Sequence, residues 1–305
     1  MSDRVPDVST PPSVAPLAWP GTAARLADFA ALAKPRLNLL IVATTGAGYY
    51  LGAERLEPAV LFHTIVGTAL VAGGAGAFNE IIERDTDALM RRTRTRPLPM
   101  RRMEPPAATW FAFTLSILGL LQLAAGANAL AAGVALATLL SYVLVYTPMK
   151  RRSPMATLVG GVPGALPPVI GWAAARGELS AGAWVLFAIV FLWEMPHFLA
   201  IAWLSREDYG RAGLQMLPVV EPDGRSTAQQ TILYAAVLVP VSLIPTAVGL
   251  AGTAYFAGAA LLGAAFLWLA VRFALRRDRR TALRLFLGSI VYLPLLWGVM
   301  IIDHG

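Results

Sequence analysis

The sequence predicts an all-α polytopic membrane protein of nine transmembrane helices, with the N-terminus cytoplasmic and the C-terminus outside. Three observations carry that expectation. Hydrophobic residues make up 57% of the 305 and charged residues 14%, against about a quarter charged in soluble domains. The apolar residues run continuously, without the alternation a membrane barrel needs, and only helices or closed barrels satisfy the backbone in lipid. Basic residues cluster in alternate connections, as the positive-inside rule requires. The net charge of +7 belongs to those connections, and nucleic acid is a poor explanation for it. With no cysteine, disulfide and thiolate chemistry are excluded.

Residues 1 to 30 read as a tail. Up to about residue 25 they are rich in Pro, Ser, Thr and Asp and are expected to be disordered. They lack the apolar core of a secretory signal, and Asp3, Asp7 and Asp28 argue against a mitochondrial presequence. Residues 31–37 look like an interfacial lead into the first span, so 31–305 form the membrane domain. At about 20 residues per span, the uncharged runs 37–53 and 58–78 hold one span each. The 45 residues of 105–149 hold two, turning near Gly126, Ala127 and Asn128. The run 153–175 is one, kinked by the glycines and prolines of 160–168. Residues 180–204 are one, interrupted by Glu194 and His197; 226–271 hold two, turning near 249–252; and 285–302 is the ninth. With the N-terminus inside, 23 of the 25 Lys and Arg fall on the cytoplasmic side, leaving only Arg55 and Arg176 outside.

Chemistry concentrates where the second span ends. Residues advance about 100° each on a helix, so Asn79, Glu83 and Asp87 share a face, with Glu80 close beside them and Asp85 turned away. Clustered carboxylates repel unless a cation or proton compensates. An oxygen-only set suits Mg²⁺, which is commonly completed by substrate phosphates. The arginines that follow, up to Arg102, supply donors for phosphate oxygens. A topology signal would need only the arginines; the acidic face directly before them is the additional feature.

Three further segments lie at the same cytoplasmic depth. Residues 146–152 end the fourth span with Lys150 and Arg151, which read either as topogenic charges or as part of a diphosphate pocket. The sixth span carries Trp193, Glu194 and His197, and ionisable residues inside a membrane are functional by default. His197 is placed to ligate a metal centre or move a proton, whereas His63 and His304 read as incidental. After that span come Arg206, Glu207, Asp208, Tyr209 and Arg211, a second charged cluster one half-chain after the first. Spans 1–4 and 5–8 therefore read as a degenerate duplication. Asp208 is a candidate metal ligand, and Tyr209 is a candidate hydrogen-bond donor to phosphate.

The pattern Asn79-x-x-x-Glu83-x-Asp85-x-Asp87, followed by Met90-x-Arg92-Thr93-x-x-Arg96-Pro97, resembles the first signature of the UbiA-type intramembrane prenyltransferases. Residues 146–151 and 160–172 are similar to the same superfamily. Trp193-x-x-Pro196-His197-Phe198, with Asp208-Tyr209-x-x-Ala212-Gly213 and Met216 to Val219, resembles the branch that farnesylates haem. The likeness covers roughly residues 30 to 300. It implies that Asn79, Glu83, Asp87 and Asp208 hold Mg²⁺ against the diphosphate of farnesyl diphosphate. It implies diphosphate contacts from Arg92, Arg96, Lys150, Arg151, Arg206 and Tyr209. Haem b is the implied acceptor, met by His197 and Trp193, with an active site facing the cytoplasm in the cell inner membrane. Candidate partners are a haem A synthase or an oxidase-assembly protein. Glu83 stands where the superfamily usually has Asp, and Tyr209 where other branches carry an acid, so the second cluster is the weaker metal site. Two other readings stay open: a transferase for a quinone precursor or other aromatic acceptor, and a small-molecule transporter, which nine spans, a half-chain repeat and a broken fifth span would also suit. Against the transporter, the charges gather at the cytoplasmic ends and leave most spans uncharged at the midplane.

Overall fold

The computed structural model describes residues 21–304, and among them every regular element is helical. Residues 1–20 of the expected tail lie outside the described set. Its end does not: α1 (Thr22–Leu32) is helical, and its buried Asp28 pairs with Arg102 at 3.0 Å.

Eight of the described helices are long and apolar enough to cross a membrane. They are α3 (Pro58–Asp87), α4 (Pro105–Gly126), α5 (Ala129–Met149), α6 (Ala156–Arg176), α7 (Ala181–Leu204), α10 (Arg225–Ala247), α11 (Thr253–Arg276) and α12 (Arg279–Ile302). The first span of the expected nine corresponds to α2 (Pro35–Gly52), which is not among the eight. It has only 18 residues, and Arg36 and Asn38 stand in its first turn. Even so, α2 runs antiparallel along α3: Lys34 at its start reaches Asn79 near the end of α3, and the Tyr49 hydroxyl near its end donates to the carbonyl of Glu57, just before α3. Two short helices, α8 (Arg206–Arg211) and α9 (Leu217–Val220), follow α7.

The turns fall where the sequence places them. Asn128 caps α5, its side chain accepting from the N–H of Ala131 at 2.8 Å. Gly249 takes a left-handed φ of 75° in the turn before α11. In α6 the break lies at Leu166, between the halves Ala156–Ala165 and Pro167–Arg176, where paired prolines remove two donors. The last turns of α5 contain a π-helical stretch, Ser141–Tyr146. Such insertions re-aim side chains and gather at functional sites.

Two apolar cores flank the centre. One joins α2, α3, α4, α5 and the second half of α6; the other joins α6, α7, α10, α11 and α12, with α2 touching both. Helices in lipid associate through close packing of small residues. At Gly171 on α6, a side-chain carbon would collide with the Thr45 carbonyl of α2; at Gly48 on α2, with the Pro168 carbonyl of α6. Both obstacles are main chain, which cannot swing aside. Gly171→Ala is therefore expected to destabilise the chain by about 1–3 kcal/mol through overpacking, seen as a lower melting temperature in detergent. An unchanged melting temperature would contradict the contact.

The charged ends of these helices are tied together as well. Met90, just past α3, is buried in one cluster with Tyr209, Leu214 and Met216 beyond α7. The N–H of Gln215 donates to the carbonyl of Lys150 at 2.8 Å, bringing in the end of α5.

Candidate active site

The tips of α3, α5 and α7 surround a cavity of about 370 Å³ that runs from the charged ends toward the middle of the bundle. At its polar end α3 presents the expected face: Asn79, Glu83 and Asp87 all line the cavity. Asn79 and Asp87 are buried, and so is Glu80 beside them. Asp85 is turned out, its exposed carboxylate beside Arg84.

Every acid on this face has a cation. Lys150 Nζ stands 2.8 Å from Glu83. Arg96 spans two carboxylates, 2.7 Å from Asp87 and 3.5 Å from Glu80. Lys34 Nζ donates to Asn79 Oδ1 at 2.9 Å, and Asn79 donates to Thr147 at 3.3 Å. Three carboxylates thus face three cations, which is how a buried charge cluster is tolerated. Burial, and then the neighbouring Arg96 charge, bring Lys34 down to about 8, against the pull of Glu80 and Glu83. Burial also works against the Lys150 charge, but the Tyr146 phenol and the Glu83 carboxylate beside it hold Lys150 above the ordinary lysine value. Lys34 also has a left-handed φ of 50° directly before Pro35. A proline disfavours the helical region for the residue before it, and such backbone cost collects at functional sites.

The donors at this end suit a hard cation. Asp87 Oδ1 is buried and has no hydrogen-bond partner, so one oxygen of the shared face is unspent. All the nearby donors are oxygens, from Asn79, Glu83 and Asp87. No cluster of three or more His, Asp or Glu among the described residues could hold a metal, so a bound ion would depend on the Asn79 amide and on substrate oxygens. That fits Mg²⁺, which keeps part of its shell for water and phosphate.

Of the expected diphosphate contacts, Arg92, Arg96, Lys150 and Tyr209 line the cavity. Arg151 is exposed and is not among the lining residues. Arg206 is exposed too, its guanidinium lying 4.4 Å from the Trp203 ring centre. Asp208, the expected second metal ligand, does not line the cavity, and its carboxylate pairs with Arg211. The reason is helical register. On the single turn of α8, Tyr209 faces inward and is buried, so its neighbour points elsewhere. The second cluster therefore offers the cavity a phenol and no carboxylate.

The apolar end is framed by α6, α7 and α12. Trp193 and His197 line it, their rings stacked at 5.0 Å. His63 bonds to Gln122 and His304 to the Leu250 carbonyl, neither among the lining residues. Several lining residues escaped the sequence reading. Lys34 precedes the first apolar run and looked like an interfacial charge. Tyr142 and Tyr146, 5.2 Å apart, reach the cavity on the π-helical stretch. Glu194, which the sequence did single out, lines the cavity too, buried against Gly164 with its Oε2 unpartnered. Glu80, which the sequence already placed beside the acidic face, is not among the lining residues and takes part through Arg96.

The UbiA prenyltransferase family model matches residues 40–296. The chain is 48% identical to a protoheme IX farnesyltransferase of Solibacter usitatus over 91% of its own length and 98% of the relative's. It is 44% identical to the protein of the same name from Koribacter versatilis, covering 93% and 96%. Among solved structures it resembles a digeranylgeranylglyceryl phosphate synthase, with a TM-score of 0.78 at 17% identity, covering 92% and 98%. It also resembles an Archaeoglobus fulgidus UbiA homologue bound to GPP and Mg²⁺, with a TM-score of 0.61 at 15% identity, covering 90% and 99%.

Proposed function

The chain belongs to the UbiA prenyltransferase family, and from that membership we propose that it transfers the farnesyl group of farnesyl diphosphate to a vinyl group of haem b, giving haem O. The observation that carries this is one continuous cavity with a charged mouth and an aromatic, histidine-bearing interior. The relatives at 44–48% identity bear the name of that activity.

The residues divide the work by depth. Arg92, Arg96, Lys150 and Lys34 hold diphosphate oxygens, and Tyr209 donates to them. Charge-assisted donors of this kind stabilise charge building on the leaving group. Asn79, Glu83 and Asp87 would hold Mg²⁺, which when bound supplies further neutralisation of the diphosphate. Arg96 and Lys150 then exchange their carboxylate partners for phosphate oxygens, so the cluster stays close to neutral. The rings of Tyr142 and Tyr146 line the cavity below and offer their π-faces to a developing allylic cation. The apolar walls keep bulk water from the allylic carbon. The farnesyl C1–O bond breaks, C1 bonds to the terminal vinyl carbon, and water adds at the adjacent carbon, releasing a proton. Trp193 and His197 receive the haem. We place the charged mouth on the cytoplasmic face of the cell inner membrane, where the loop arginines gather.

Purified protein in detergent, given labelled farnesyl diphosphate and haem b, is expected to form farnesylated haem with Mg²⁺ and none after chelation. Farnesylation of a quinone precursor in place of haem would overturn the acceptor assignment. Product formed at full rate under chelation would overturn the metal assignment.

A further inference from the structure

Ser289 of α12 is fully buried behind His197, which lines the acceptor chamber. Its side-chain oxygen stands 2.6 Å from the Phe286 carbonyl and 2.7 Å from His197 Nδ1. A serine hydroxyl has a single hydrogen to donate. Two oxygens 2.6 Å apart with no hydrogen between them would repel, so that hydrogen is spent on Phe286. Ser289 Oγ can then only accept from His197, and Nδ1 must carry a hydrogen. Nε2 has no hydrogen-bond partner among the described residues, and His197 lines the cavity.

The ring is held in place by more than this bond. Trp193 stacks on it with 23° between the planes, and its Nε1–H donates to the Ser289 carbonyl at 2.8 Å. Phe286 lies 5.1 Å from the imidazole on another side. Ser289 thus binds both acceptor-side residues of α7, one through its side chain and one through its main chain.

We propose that Ser289 is a positioning residue that fixes the His197 tautomer, so that the Nε2 lone pair meets the haem iron. The proposal rests on haem being the acceptor in this cavity. Ligating histidines commonly give their second N–H to such a partner, and losing the partner costs about 10–100-fold in metal affinity.

The test is titration of haem b into the purified full-length chain, read by the Soret band and by electron paramagnetic resonance for imidazole ligation. The wild type should show a ligated histidine, and His197→Ala should lose that signature. Ser289→Ala should weaken haem binding about tenfold or more with farnesyl diphosphate affinity unchanged, which also reports that the chain is folded. Ser289→Thr, which keeps the hydroxyl, should restore haem binding. A Ser289→Ala protein with wild-type haem affinity and spectrum would overturn the proposal. So would a His197→Ala protein with an unaltered spectrum. A wild type that binds no haem would instead bring down the acceptor reading beneath it.

Discussion

Asp87→Ala is expected to lower turnover by about 10²–10³-fold, the scale of losing a group that stabilises transition-state charge, while the protein still folds. The dissociation of these two effects follows from the pairing. Asp87 keeps one oxygen on Arg96 and has the other buried without a hydrogen-bond partner. Without the carboxylate, Arg96 retains Glu80 at 3.5 Å, and its side chain is 26% exposed, so no isolated buried charge is left behind. The Thr93 hydroxyl bonds the main-chain carbonyl of residue 87, which the substitution leaves in place. Initial rates with saturating substrates and a melting curve in detergent make the comparison. Near-normal turnover would remove Asp87 from the metal site, and a collapse of the melting temperature would make its role structural.

Arg96→Ala is expected to damage both. Its guanidinium is the ion-pair partner that both Glu80 and Asp87 share, and their side chains are 2% and 1% exposed. Removing one partner of a buried pair costs about 3–5 kcal/mol; Asp87 loses its paired cation outright, whereas Glu80 keeps the Lys34 charge nearby. Arg96 also lines the charged mouth, so farnesyl diphosphate affinity should fall with stability. Arg96→Lys keeps the charge but cannot fork between two carboxylates, so it should recover part of the stability and little of the affinity. Denaturation curves and diphosphate binding measured on the two variants separate the effects. An Arg96→Ala protein as stable as the wild type would show that Glu80 and Asp87 do not depend on this residue.

Composition and run lengths were enough to give an all-helical membrane bundle, its turns at 126–128 and 249–252, and the break in the fifth span. These are local properties: an apolar run long enough to cross lipid leaves the backbone few alternatives, and glycine and proline punctuate it through their own dihedral limits. The face formed by Asn79, Glu83 and Asp87 was legible for the same reason, since helical periodicity acts within one element.

What escaped the sequence reading was contact between elements. Asp208 and Tyr209 are adjacent in the chain, and only the seating of α8 decides that the phenol enters the cavity and the carboxylate does not. Lys34 became a site residue because α2 packs antiparallel to α3, which brings residue 34 to residue 79. Tyr142 and Tyr146 were re-aimed by a π-helical stretch that no residue pattern announced. The sequence by itself determined the class of fold and the acidic face of α3, because those depend on hydrophobicity and on the geometry of single helices. The tertiary structure alone decided which cation pairs with which acid, and which nitrogen of His197 meets Ser289, because those depend on the register between helices far apart in the chain.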